Sequence, residues 1–208
     1  MDWREVKRSR PDVVKIEAAL YHDSEWVIKL AVDILDRITD GKAKQAIILR
    51  AIERGEQQTL WAAASLAIAR GNSDVIGAIY ERLGQSHSLG CEYLIWAILE
   101  LGVSLDEQLL LILEMCFLRG TVQTAIAAAD VALQFATPEQ MELFLILERA
   151  AEYWKINEDP YPTHGGIIPN SPRDKIAKAS AVISPPDYNR LKLYVSDSRS
   201  DVREIGTK

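Results

Sequence analysis

The 208-residue chain is short of cysteine, of aromatic residues, of long apolar runs and, through its middle, of positive charge. Its two cysteines, Cys91 and Cys116, lie inside apolar stretches without a Cys-x-x-Cys neighbour, too few for a disulfide framework. Buried thiols acting as small hydrophobes are expected, which suits a reducing compartment. Only 7% of residues are aromatic against 48% apolar, so the core must be built from Leu, Ile, Ala and Val. The most apolar stretch, 109–118, is broken by Glu114 and is too short to span a bilayer. The charged start, Met1 to Lys7, has no apolar h-region, so a cytoplasmic protein without a signal peptide or membrane contact is expected. Residues 56–160 hold 5 Lys/Arg against 15 Asp/Glu, a balance of −10. Such a surface repels phosphate backbones, which argues against nucleic acid and favours a basic partner.

A helix-stop signal recurs instead. Arg54-Gly55, Arg70-Gly71 and Arg119-Gly120 each follow an apolar run, with Gly41, Gly84 and Gly102 between them. Glycine relieves left-handed strain just past a helix end, and arginine in the last turn suits the exposed carbonyls. The expected helices are 11–22, 24–39, 42–54, 57–70, 73–84, 88–102, 105–119, 122–136, 138–156, 173–183 and 186–196, with a short one from 200. Ser24, Ser73, Ser104, Thr121 and Pro138 sit at plausible starts. Period-two alternation is confined to 166–169 and 191–195, the only stretches that could be strand.

The spacing carries a repeat. Thr59-Leu-Trp-Ala-Ala-Ala-Ser65-Leu66 aligns with Thr124-Ala-Ile-Ala-Ala-Ala-Asp130-Val131, 65 residues later. Half that offset lands on Cys91-Glu-Tyr-Leu-Ile-Trp-Ala97-Ile98, and one step back on Val27-Ile-Lys-Leu-Ala-Val-Asp33-Ile34. Trp26, Trp61 and Trp96 are 35 apart, three residues from that register, so both registers are expected to turn a similar face inward. A two-helix unit of 32 to 35 residues follows, its second helix nearly all apolar and expected to be covered on more than one side. The expected fold is all-α: a single α-solenoid domain of about 11 to 12 helices in antiparallel pairs. Residues 1–156 would form the regular array, 157–172 a loop and 173–208 a C-terminal helical section.

Leu191-Lys-Leu-Tyr-Val-Ser-Asp197-Ser-Arg-Ser-Asp201-Val202-Arg203 gives this architecture a family flavour. It resembles the HEAT pattern of an apolar helix, a turn with Asp, then Asp-Val-Arg opening a second helix, and the paired helices look like the HEAT and armadillo class of α-solenoids. The resemblance implies an aspartate cap, a core valine and an arginine pairing with an acid of the adjacent unit. It also implies second helices lining a concave face, where the isolated acids Asp33, Glu92, Glu100 and Asp130 would meet a basic protein. Local pairing of each acid with a neighbouring Lys or Arg is the alternative.

Residues 157–172 hold four prolines and two glycines, which excludes a helix. Tyr161, between Pro160 and Pro162, and His164, in Thr-His-Gly-Gly, are candidate partner contacts there, or the segment is a connection lying across the last hairpin. No constellation around His164, His22 or His87 suits a metal or a nucleophile, and no phosphate loop or nucleophile elbow occurs. No cofactor, metal or catalytic residue is therefore expected. The expectation is a non-enzymatic protein-binding module. One version is an immunity protein or inhibitor of a basic toxin or nuclease. A different class, implied by the HEAT-like resemblance, is a bilin lyase subunit or other enzyme. Self-association through an end of the array is a further expectation.

Overall fold

Short side-chain acceptors start many of the helices. Asp12, Asp40, Asp106 and Thr121 each take main-chain N–H groups of the following turn. In the computed structural model, which describes residues 12–38, 40–71, 73–85, 88–157, 171–183, 192–197 and 200–207, these caps open four of twelve α-helices. Two compact units divide the chain, 1–103 and 104–208. The first contains α1 (Val13–Ala19), α2 (Glu25–Asp36), α3 (Gly41–Arg54), α4 (Gln57–Arg70), a 3-10 turn (Ser73–Val75) leading into α5 (Ile76–Gln85), and α6 (Cys91–Glu100). The second contains α7 (Glu107–Arg119), α8 (Val122–Phe135), α9 (Met141–Asn157), α10 (Pro172–Ile183), α11 (Lys192–Val195) and α12 (Ser200–Gly206).

An all-α fold is what periodicity predicts, and no strand occurs among the described residues. The possible strand at 191–195 is instead helical over Lys192–Val195. Tertiary contact decides this: the Tyr194 hydroxyl meets Ser180 Oγ at 2.8 Å, and Gly206 packs so closely that a Cβ there would lie 2.7 Å from Val195 N. The other possible strand, 166–169, lies outside the described residues. Two expected starts move inward. Asp106 rather than Ser104 caps α7, and α9 begins at Met141, not Pro138.

Within each unit the packing follows one rule. In the first, α1 pairs with α2, α3 with α4 and α5 with α6, while α3 packs on α5 and α4 packs between α2 and α6. In the second, α7 pairs with α8, α9 with α10 and α11 with α12, while α7 packs on α9 and α10 lies between α8 and α12. Each odd-numbered helix thus pairs with its successor, and most helices also pack on the next but one, packing consistent with a helical-repeat class. Alanines make the contact close: Ala62, Ala63, Ala64 and Ala67 of α4 and Ala127, Ala128 and Ala129 of α8 are buried. Helix ends are closed by a following helix, the next or the next but one. Arg82 of α5 donates to the carbonyls of Glu53 and Gly55, and Trp154 of α9 donates its indole N–H to Phe117 O. Lys44 of α3 does the same for Asp36 O at 2.8 Å, and burial pulls its ammonium below the usual lysine range.

The Arg-Gly stops prove to be two kinds of device. Gly71 is left-handed, as a helix stop requires, with φ 57°. Gly55 and Gly120 are not; both are extended, at φ −70°, ψ 154° and φ −75°, ψ 167°. A Cβ on Gly55 would lie 2.3 Å from Ala51 O and 2.8 Å from Thr59 Cγ2. On Gly120 it would lie 2.3 Å from Cys116 O and 2.9 Å from Thr124 Cγ2. Glycine is needed there because a tight elbow folds the next helix onto the last turn, and the same elbow recurs 65 residues apart. Gly41 and Gly84 are not stops, since Gly41 opens α3 behind Asp40 and Gly84 lies inside α5.

Candidate functional site

The site begins with α4, the most evenly apolar helix of the first unit. Ala62, Ala63, Ala64, Ala67 and Leu60 turn towards neighbouring helices, and one stripe (Gln58, Trp61, Ser65 and Ile68) stays partly exposed. The helix is covered on more than one side, as expected, by α2, α3 and α6, but the expectation that its tryptophan turns inward fails. An indole is too bulky for a contact made by alanines, so Trp61 occupies the side those alanines leave open. The same outward placement holds for its counterparts: Trp26 on α2 is 66% exposed and Trp96 on α6 is 37% exposed.

Two contacts set these helices side by side. Lys29 of α2 places its Nζ 5.8 Å from the centroid of the Trp61 ring on α4. At the start of α6, Gly90 (φ 100°) approaches the start of α4 so closely that a Cβ would lie 2.7 Å from Gln57 Cα. The three helices thus begin at neighbouring points and run in one direction, each separated from the next by one returning helix. Their tryptophans form a row across α2, α4 and α6. Tyr93 adds to it, edge-on to Trp96 with centroids 6.0 Å apart. Among the described residues the indole N–H groups of Trp26, Trp61 and Trp96 have no partner, in contrast to buried Trp154.

Asp33 lies seven residues beyond Trp26 and Glu100 four beyond Trp96, helical spacings that keep each acid on its tryptophan's face. Both are exposed, so the row of rings has carboxylates on the C-terminal side. Glu92 does not join them. It is 5% exposed and folds back to accept the Gly90 N–H at 2.9 Å, acting as a local cap. Asp130 lies in the second unit and pairs with Lys175 of α10 at 2.5 Å, the local-pairing alternative. Tyr161 and His164 lie outside the described residues, as does His87. Sequence reasoning missed the tryptophans as site residues because it took their 35-residue period as a core marker. The usable signal was their helical register with Asp33 and Glu100, since a face shared with isolated carboxylates is an outer face.

A cleft of about 360 Å³ opens at the N-terminal ends of α2 and α4, lined by Tyr21, His22, Asp23, Arg54, Glu56 and Gln57 among others. His22 Nδ1 accepts the Ser24 N–H at 2.9 Å, which leaves Nε2 as the donor of the neutral ring. Cys91 is buried and burial pushes its thiol up, so it stays protonated and unreactive. Among the described residues no group of three His, Cys, Asp or Glu side chains could hold a metal ion.

In the second unit the HEAT-like segment has a structural role. Val202 is buried as the pattern implies, and Arg203 donates to Asp197 O at 2.6 Å. Asp197, itself buried, pairs with buried Arg173 of α10. Tyr194 hydrogen-bonds Ser180 Oγ, and burial holds its phenol far above the usual tyrosine range. No described helix is long and apolar enough to cross a membrane. The chain matches no protein-family model, no curated protein and no solved structure.

Proposed function

We propose that this protein is a non-enzymatic interaction module of HEAT-like α-solenoid build, which binds a basic protein partner through the outer face of α2, α4 and α6. The repeated helix pairing within each unit and the elbow recurring after 65 residues support the solenoid reading. One observation carries the binding reading: three tryptophans lie on the partly exposed stripes of neighbouring helices α2, α4 and α6, with Trp26 and Trp96 exposed and Trp61 half-buried. Tryptophan concentrates binding energy at interfaces, and Asp33 and Glu100 give the face the sign that attracts a cationic segment.

The test is capture from lysate of the native host by the immobilised chain, compared with a Trp26→Ala/Trp96→Ala form and an Asp33→Lys/Glu100→Lys form. A specific partner should be retained by the parent chain, released as salt rises, and lost from both variants. A partner held equally by all three forms would move the site elsewhere.

A further inference from the structure

Resting on that reading, we propose that the tryptophan row binds a proline-rich segment in polyproline II conformation, with a basic side chain at every third residue. Three features of the face lead there. The first is spacing. Packed helices lie about 8–10 Å apart, so the rings of α2, α4 and α6 recur at about that step. Polyproline II advances about 3.1 Å per residue with three residues per turn, so every third residue returns to one face after about 9 Å. A β-strand repeats a face every second residue, about 6.6 Å, and falls out of step.

The second feature is the free indole N–H on Trp26, Trp61 and Trp96, unpartnered among the described residues. In solvent these donors bond to water, and a partner's carbonyl can replace that water. An α-helix has already used its own carbonyls, whereas a polyproline II backbone has no internal hydrogen bonds and leaves them outward. The third feature is a cation already seated on the row. Lys29 Nζ stands over the Trp61 ring and is shared with Glu25 at 2.5 Å, an internal stand-in for a partner's Lys or Arg. Among the described residues the stations at Trp26 and Trp96 have no such occupant, and Asp33 and Glu100 follow them on the same faces. A partner's central cation would displace Lys29.

The test uses the full chain and two synthetic peptides of equal composition and charge, titrated by calorimetry. The periodic peptide repeats the tripeptide Arg-Pro-Pro four times. The clustered peptide places the same four arginines in one block ahead of all the prolines. The periodic peptide should bind about tenfold or more tightly than the clustered one. Trp26→Phe and Trp96→Phe, which keep a ring and lose the N–H, should each weaken it about three- to tenfold. Lys29→Gln should tighten it by a few fold, while Lys42→Gln, which removes the same charge from exposed α3 surface, should leave it unchanged. Circular dichroism of each variant guards against misfolding. Equal affinity for both peptides, or for the parent and the Phe variants, would overturn the polyproline inference and leave the basic-partner reading standing. Binding of neither peptide also overturns it. The basic-partner reading itself fails only if the lysate partner ignores the Ala and Lys variants above.

Discussion

Helices α2, α4, α6 and α8 start from aligned sequences, yet the two units end with different surfaces. In the first unit, α2, α4 and α6 present Trp26, Trp61, Tyr93 and Trp96 with exposed Asp33 and Glu100. In the second, α8 and α10 present ion pairs: Asp130 with Lys175, and Asp174 with Lys178 at 3.2 Å. Ile126 stands where the alignment places Trp61, and it is buried. The scaffold is the same in both, down to the Gly55 and Gly120 elbows. Charge that is paired within a unit steers little, whereas unpaired exposed carboxylates keep their full field at the surface. The repeat therefore sets where helices go, and a few substitutions on its exposed stripe set which side chains each unit shows to solvent.

The largest expected effect separates the units by stability. Asp197→Ala removes a buried carboxylate from its ion pair with buried Arg173, which should cost about 3–5 kcal/mol. Hydrogen exchange should show the loss in α10 and α12 and spare α2–α6; uniform loss would mean the two units fold as one. Next come the elbows. Gly55→Ala and Gly120→Ala should each cost about 2–4 kcal/mol by thermal melting, since the clash in each is with a backbone carbonyl. A large cost at one and none at the other would break the equivalence of the units. Lys175→Ala should cost only about 0.5–1 kcal/mol, a half-buried pair being worth little. Trp26→Ala should fall within about 0.5 kcal/mol of the parent while abolishing partner capture, the signature of a surface kept for binding.

The smallest effect is acidic. The Arg50 guanidinium, hydrogen-bonded to Glu17 at 2.6 Å, holds that carboxyl below its ordinary 4.5. A carboxylate with a lowered folded value stabilises above the unfolded value, and the contribution disappears as pH falls below it. The α1–α3 contact should therefore loosen below about pH 4.5, and Glu17→Gln should remove that part of the acid dependence.

Helix positions were written locally. Asp12, Asp40, Asp106 and Thr121 cap the starts, arginines occupy the last turns of α3, α4 and α7, and the apolar period fixes the spans between. These signals act over four residues, so one chain suffices to read them. The 65-residue offset was legible for the same reason: Gly55 to Thr59 and Gly120 to Thr124 obey one steric demand. Which stripe of α4 faces out was not legible. Trp61 is apolar in any sequence reading, and only the close approach of Ala62–Ala64 to neighbouring helices expels it. Nor did the residue type of Glu92, Asp33 or Asp130 reveal its role. The first found a main-chain N–H two residues back, the second found none of these, and the third found a lysine 45 residues away. Local rules determined this protein's helices and their repeat. Its surface was decided by which side chains fit between packed helices, a question of volume and distance that arises only once the helices meet.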